Sequence, residues 1–145
     1  MRARLVVTLL AAAALLVAGC GGEETTGQEG ANRSKGKTLF VSGAGEQSCG
    51  SCHTLLDAGT AGTIGPNLDQ ALGYSCAQGF EESTIYSGVL GQIDLAQGIM
   101  PPDLVTGQDA VDVAAYVASV AGKDVPGCDP SGDQSDATTT GTASG

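Results

Sequence analysis

The chain has 145 residues and a formal net charge of −10, from 16 acidic and 6 basic residues. This length suggests one domain and leaves little room for a second, and the acidic balance argues against nucleic acid as a partner. Only 3% of the residues are aromatic and none is Trp, so a core of this size is short of large apolar side chains.

The first 19 residues are predicted to be a lipoprotein-type signal peptide. Arg2 and Arg4 give a positive start, and Leu5 to Val17 is an apolar run that is too short to span a bilayer comfortably. The run ends in Val17-Ala18-Gly19-Cys20, which resembles the site at which bacterial lipoprotein signals are cut and the cysteine is acylated. A plain secretory signal is the alternative, because small residues precede that cleavage site too. Either way, the mature protein is exported.

Cleavage at this site would leave Cys20 as a lipidated first residue, followed by a flexible polar tether over residues 20–33. The protein is then expected on the outer, periplasmic or extracellular face of the cell membrane. Loss of Arg2 and Arg4 leaves four basic residues against sixteen acidic ones, a charge of −12. Such a protein would dock best on basic or neutral patches of its partners, although a solvated surface explains the same charge.

Residues 34–128 are predicted to form an all-α domain with long loops, because no strand-type alternation of any length occurs there. Ser34 can cap a first helix that ends at the Gly43-Ala44-Gly45 break. From Gly59 to Leu68, the density of Gly, Thr, Pro and Asn argues against regular structure.

Two further helices are predicted in the second half of the chain. The first is a helical pattern from Glu81 to Leu90. The second, from Gln108 to Val120, is the strongest pattern in the chain, with a wide apolar face at helical spacing and an end at Gly122. Residues 129–145 are rich in Ser, Thr, Gly and Asp and are predicted to be a disordered tail.

The stretch Cys49-Gly50-Ser51-Cys52-His53 is a C-x-x-C-H motif, the attachment signature of c-type haem. Two thiols three positions apart lie on one side of a helical turn, where each can form a thioether to one of the two haem vinyl groups. His53 can then ligate the iron as the proximal base. A bare C-x-x-C also serves redox dithiols and zinc, but the adjoining His favours haem. A buried macrocycle would also supply apolar mass that the small core lacks.

Met100 is the predicted sixth ligand of the iron. His53 is the only histidine, so ligation by two histidines of one chain is excluded, and Met1 leaves with the signal, so no other methionine is available. Pro101 and Pro102 fix φ and remove two backbone donors, which holds the chain at Met100 extended rather than helical. A methionine that merely fills the core is the alternative.

Cys76 and Cys128 are predicted to form a disulfide. With Cys20 assigned to lipid and Cys49 and Cys52 to haem, they are an even remainder in an oxidising compartment. Closing a loop of about fifty residues would add on the order of 4 kcal/mol in the chain-entropy model. Two free buried thiols are the alternative.

Besides the haem motif, four stretches carry a resemblance to a known family: Gly36-Lys37-Thr38-Leu39-Phe40, Gly65-Pro66-Asn67-Leu68, Ile99-Met100-Pro101-Pro102 and Val113-Ala114-Ala115-Tyr116-Val117. With them the chain resembles the small class I cytochromes c, bacterial single-haem carriers, over nearly all of residues 34–122. The resemblance implies a small cytochrome c fold, with three to five helices wrapped around one covalently attached haem c.

The resemblance also implies roles for single residues. In the family the first and last helices cross near a small residue and an aromatic pair, and Gly36, Phe40 and Tyr116 match those positions. The proline of the Gly-Pro-Asn-Leu loop lends its carbonyl to the free nitrogen of the proximal imidazole, which would be the part of Pro66; a simple turn proline is the alternative. Gly73 to Gly79 is not part of the common motif, and the family's frequent ring of lysines is absent, which leaves the type of partner open.

The function predicted is that of a membrane-anchored single-haem carrier, not an enzyme. It would pass electrons between exported or membrane redox partners such as respiratory complexes or oxidases. With His53 and Met100 on the iron, neither oxygen nor a small-molecule substrate binds, and no catalytic residue is predicted. Two alternatives stay open: an enzyme or gas sensor with an open sixth site, and a non-haem metal or dithiol protein, in which the motif residues and Cys76 or Cys128 could hold zinc.

Overall fold

The structure, a computed structural model, describes residues 28–45 and 47–128. Its elements in chain order are α1 (Arg33–Ser42), α2 (Cys49–Cys52), β1 (Thr54–Leu55), β2 (Thr60–Ala61), α3 (Leu68–Ala77), α4 (Glu82–Leu95) and α5 (Gln108–Val120). Five helices in the described part confirm the predicted all-α class. None of these helices has the length and apolar character needed to cross a membrane. The predicted signal peptide, the predicted lipidation site Cys20 and the predicted tail of residues 129–145 lie outside the described residues.

The crossing of α1 and α5 forms the centre of the fold. A Cβ at position 36 would overlap the carbonyl group of Asp112 and lie 2.9 Å from Tyr116 Cβ, so only glycine allows this approach of the two helices. Beside it, the rings of Phe40 and Tyr116, 1% and 3% exposed, pack edge to face with their centroids 6.1 Å apart. The arrangement implied by the family resemblance is therefore present.

The start of α1 differs from the prediction, because its cap is Asn32 and not Ser34. The Asn32 side chain accepts a hydrogen bond from Lys35 N–H at 2.9 Å, and its own backbone N–H donates to Asp112 Oδ1 at 2.8 Å. This second bond ties the residues before α1 to α5. The folded part therefore begins before residue 34, and the last residues of the predicted tether belong to it.

Asp112 is a carboxylate at the centre of this contact and is only 1% exposed. It accepts hydrogen bonds from Asn32 N–H and from Gln108 Nε2 at 2.9 Å, and Lys35 Nζ lies 3.5 Å from its second oxygen. Burial by itself would raise the pKa of Asp112, but these three donors together lower it below its usual range. A charged group is thus stable inside the helix crossing because each of its oxygens has a partner.

The segment after the haem motif contains a small hairpin that sequence patterns did not predict. Strands β1 and β2 pair antiparallel, Thr54 with Ala61 and Leu55 with Thr60. The Thr60 hydroxyl closes the hairpin by donating to His53 O at 3.0 Å and accepting from Leu55 N–H at 3.1 Å. The prediction of no regular structure from Gly59 to Leu68 is therefore wrong at Thr60 and Ala61, because strands of two residues are too short to show alternation.

Helix α3 is the second element that was not predicted. It starts at Leu68, the last residue of the supposed loop, and Asn67 caps it by accepting from Gln70 N–H at 3.2 Å. Its ten residues include Gly73 and are too few for a clear helical period. Tertiary contacts stabilise this helix, since Gly73 packs on the backbone of Gly122 beyond α5.

Helix α4 extends five residues beyond its predicted end at Leu90. Gly88 and Gly91 weaken the helical signal there, but buried Ile93 continues the apolar face against α5. The helix ends where Ala96 adopts a left-handed conformation with φ of +44°. Helix α5, by contrast, has the predicted bounds.

The structure joins Cys76 of α3 to Cys128, with an S–S distance of 2.09 Å and a sequence separation of 52. This is the pairing that cysteine counting predicts. Cys76 is buried, and the bond attaches α3 to the segment that follows α5. The last described residue, Cys128, is therefore held against α3, the helix that contacts the hairpin after the haem motif.

The Gly36→Ala variant tests the helix crossing. The added methyl group would force α1 and α5 apart, so we expect the holoprotein to lose about 2 kcal/mol or more of unfolding free energy. Gly91→Ala is the matched control, because a Cβ there has open space and should stabilise α4 by about 0.5 kcal/mol. Guanidinium unfolding of both variants measures the difference. Equal stabilities would contradict the close crossing.

The double variant Cys76→Ala, Cys128→Ala tests the disulfide. Loss of a link that closes this loop should cost about 4 kcal/mol of unfolding free energy in the chain-entropy model, again measured with guanidinium. Reduced wild-type protein is the control and should lose a similar amount. Thiol alkylation of unreduced, denatured holoprotein should label neither cysteine, and labelling of both would show that they are free.

Candidate haem site

The single turn α2 carries the two thiols of the haem motif. Cys49 and Cys52 are both partly buried, and neither is in a disulfide. His53 N–H donates to Cys49 O at 2.9 Å, which closes the turn at the residue that follows it. Burial raises the pKa of the Cys49 thiol, and a backbone hydrogen bond offsets only part of this effect. A raised pKa is the opposite of the stabilised thiolate that redox dithiols use.

Two glycines let the hairpin approach this turn. A Cβ on Gly50 would lie 3.1 Å from Thr60 Cβ, and a Cβ on Gly62 would lie 2.6 Å from His53 N. The Thr60 side chain of β2 and the backbone at Gly62 therefore lie directly against the haem motif. The glycines after residue 59 are loop signals in the sequence, and their packing role is visible only in the structure.

The imidazole of His53 is held from two sides. Its Nδ1 lies 2.9 Å from Pro66 O; since a carbonyl only accepts, Nδ1 donates the proton and Nε2 is free to bind a metal. Gly65 lies against the ring, where a Cβ would come within 2.7 Å of Nδ1 and 2.9 Å of Nε2. The contact between Pro66 and His53 that the family resemblance implies is present, and Gly65 is a site residue that sequence analysis did not assign.

His53, Met100 and both motif cysteines line one cavity of about 540 Å³, a volume typical of small-molecule and cofactor sites. Pro66 lines it as well. The wall is largely apolar and is formed by Phe40, Leu68, Leu72, Val89, Ile93, Leu104, Val113 and Val117, among others. The described lining contains no Asp, Glu, Lys or Arg, so the cavity suits a large apolar group.

Met100 lies in the loop between α4 and α5, outside any helix, as predicted. Its backbone N–H donates to Gln97 O at 3.3 Å in a turn that contains Gly98 with φ of +70°. The residue is partly buried and packs against the core cluster. The loop thus brings Met100 to the cavity that His53 lines from another loop, although 47 positions separate the two residues.

This donor set fits a covalently bound haem. Two thiols, one imidazole with a free Nε2 and one thioether surround a single apolar space, which is the chemistry that a c-type haem needs. A zinc site at the motif residues would lack a fourth ligand, because Cys76 and Cys128 are bonded to each other. Moreover, residues 28–45 and 47–128 contain no group of three or more His, Cys, Asp or Glu side chains that could hold a metal ion.

Charged residues anchor the site from outside the cavity. Asp57, two residues after β1, accepts hydrogen bonds from Tyr116 OH at 2.8 Å and from Lys37 Nζ at 3.0 Å. The hydrogen bond from Tyr116 is the largest influence on the pKa of Asp57 and lowers it, and the bond from Lys37 lowers it further. Burial and the Asp57 carboxylate in turn raise the pKa of Tyr116. The hairpin that follows His53 is in this way tied to the crossing of α1 and α5.

Most of the positive charge is neutralised in such pairs. Three of the four basic residues beyond residue 19 are ion-paired: Arg33 with Glu82, Lys35 with Asp109, and Lys37 with Asp57. All three belong to α1 and none of them lines the haem cavity.

Comparison with known proteins agrees with this site. A family model described as Cytochrome c matches residues 34–121. Among solved structures, the c-type cytochrome SorU from Sinorhizobium meliloti is 34% identical, with 63% of this chain and 92% of that chain covered and a TM-score of 0.45. No curated protein matched the chain. Because the family match spans more than half of the chain and includes the whole haem motif, the chain belongs to the cytochrome c family, whose members bind covalently attached haem c and transfer electrons.

Proposed function

We propose that the protein is a membrane-anchored single-haem electron carrier whose iron is bound by His53 and Met100. One observation carries the ligand assignment: these two residues line the same apolar cavity as both thiols of the haem motif. The lone histidine and the lone methionine beyond the signal peptide leave no rival pair in the chain.

Each residue has a distinct part in this proposal. Cys49 and Cys52 would hold a haem through thioethers, and His53 Nε2 and the Met100 sulfur would bind its iron. A bound haem supplies one-electron chemistry, with iron alternating between the ferric and ferrous states. Pro66 keeps the proton on His53 Nδ1 and so fixes the tautomer and the ring orientation. The Met100 thioether and the apolar wall favour the ferrous form and raise the reduction potential.

We also propose a carrier rather than an enzyme. If His53 and Met100 both bind the iron, no position on it would be left for oxygen or a small-molecule substrate. The described lining of the cavity offers no carboxylate or lysine that could act as a general acid or base. An enzyme or a gas sensor would instead need an open sixth position on the haem iron.

We also propose that the protein acts at the outer surface of the cell membrane. Its support is the sequence Val17-Ala18-Gly19-Cys20 after an apolar run, which lies outside the described residues. Lipid on Cys20 would keep the domain near membrane redox partners such as respiratory complexes or oxidases. The net charge of −12 without the signal peptide favours basic or neutral docking patches on those partners.

Replacement of Met100 tests the ligand assignment. Met100→Ala should keep covalent haem, lose the red charge-transfer band of iron–sulfur ligation in the ferric protein, and bind carbon monoxide rapidly when ferrous. The reduction potential of Met100→His should fall by a substantial part of the roughly 0.8 V range that axial ligands set. Optical spectra and potentiometry of the purified holoproteins measure these changes.

Leu95→Ala is the matched control, because Leu95 ends α4 just before the Met100 loop, is 64% exposed and does not line the cavity. It should retain the charge-transfer band. A band that persists in Met100→Ala, or fast carbon monoxide binding by the wild-type protein, would exclude Met100 as ligand. Wild-type protein that is made with haem-maturation machinery and gives no pyridine haemochrome spectrum and no covalent haem on a denaturing gel would overturn the whole proposal.

Fatty-acid labelling tests the anchor. The wild-type protein expressed in bacteria with radioactive palmitate should carry the label and fractionate with membranes. Cys20→Ser should be unlabelled, because acylation of a lipoprotein signal requires the cysteine thiol. Cys128→Ser serves as the control and should remain labelled. An exported but unlabelled wild-type protein would instead identify residues 1–19 as a plain secretory signal.

A further inference from the structure

Asp69 lies in the first turn of α3, and both of its carboxylate oxygens accept backbone hydrogen bonds. Oδ2 accepts from Leu56 N–H at 2.7 Å, and Oδ1 accepts from Gly122 N–H at 3.3 Å. Leu56 follows strand β1, and Gly122 follows α5. One carboxylate therefore joins α3 to the hairpin of the haem motif and to the segment after the last helix.

The same face of α3 is attached to that segment at two further points. Asp69, Gly73 and Cys76 are spaced i, i+4 and i+7, so they lie along one face of the helix. A Cβ on Gly73 would come within 2.9 Å of Gly122 Cα, and Cys76 is bonded to Cys128. These contacts hold α3 against the segment after α5 along its whole length.

Helix α3 also borders the haem cavity, through Leu68, Ala71 and Leu72. These residues lie at helical positions between those of the anchored face. The helix is thus a wall of the haem site whose position depends on its anchors.

The hydrogen bond between Leu56 and Asp69 has the same spacing in the chain as the hydrogen bond that holds the imidazole of His53. His53 Nδ1 donates to Pro66 O, and Leu56 N–H donates to Asp69 Oδ2; both bonds join residues 13 positions apart. Each partner in the second bond is three residues beyond its counterpart in the first. The two bonds therefore bridge the same two chain segments, and a shift of α3 that breaks one would lengthen the other.

We propose that Asp69 is a positioning residue for the proximal histidine. Its carboxylate fixes the start of α3 against the hairpin and the segment after α5, and thereby holds the Pro66 carbonyl on His53 Nδ1. The inference rests on the proposed role of His53 as an axial ligand. Because a hydrogen bond at Nδ1 increases the basicity of a metal-bound imidazole, loss of Asp69 should weaken electron donation to the iron and raise the reduction potential.

Three variants of the holoprotein separate positioning from charge. Asp69→Asn keeps one accepting oxygen and removes the negative charge. Asp69→Glu keeps the charge but displaces the carboxylate by one methylene group. Asp109→Asn is the matched control, because Asp109 is likewise the second residue of its helix, α5, and pairs with Lys35 away from the haem cavity.

The first readout is solvent exchange of the His53 Nδ1 proton in the ferrous protein, followed by NMR after transfer to D₂O. We expect both Asp69 variants to exchange about tenfold faster than the wild type or more, as local opening becomes easier. The second readout is the reduction potential, which should rise in both. Asp109→Asn should leave the exchange rate unchanged.

Two outcomes would overturn the proposal. If Asp69→Glu has the exchange rate and potential of the wild type while Asp69→Asn does not, Asp69 acts through its charge, for example on the helix dipole. If neither variant changes the exchange rate, Asp69 does not position the imidazole.

Failure of the ligand assignment would be seen separately, because the ring protons of an unligated His53 lack the large haem ring-current shift in the wild-type protein. In that case backbone amide exchange in the same samples still tests the anchor. We expect the amide proton of Leu56 or Gly122 to exchange faster in Asp69→Asn. Unchanged protection of both amides would show that Asp69 does not anchor α3.

Discussion

The close approach of α1 to α5 is the constraint on which the rest of the structure depends. Because Gly36 has no side chain, α1 lies directly on the backbone of α5 at Asp112. Phe40, one turn further along α1, then reaches the cavity that Val113 and Val117 line from α5. The two helices farthest apart in the chain thus form a common wall of the haem site, with α2 packed against α1 and α4 packed against α5.

The side of the cavity that holds the imidazole is built from elements too short to be stable alone. A four-residue helix, a hairpin of two-residue strands and a glycine-rich loop surround His53, and each is held by contacts outside itself. Asp57 ties the hairpin to Tyr116 in the helix crossing, and Asp69 ties it to α3. Packing and hydrogen bonds from the larger helices therefore give this side its shape, since isolated turns and hairpins are marginal in water.

Local patterns predicted the elements whose signal is contained in their own residues. Helix α5 has the predicted bounds because its apolar face repeats over thirteen residues. Helix α3 and the β1–β2 hairpin were missed because their signals are short and their stability comes from distant partners, such as Gly122 for Gly73. The cap of α1 was assigned to Ser34 for a related reason: the choice of Asn32 is reinforced by Asp112, 80 positions away.

The sequence by itself determined the chemistry of the site. The C-x-x-C-H motif, the single histidine and the single methionine beyond residue 19 indicate the possible ligands, because spacing and scarcity of residue types are properties of the chain. Only the tertiary structure decided that Met100 shares a cavity with His53, that Gly65 packs on the imidazole, and that α3 is anchored through Asp69. These relations join residues far apart in the chain, and close packing creates them only when the whole domain folds.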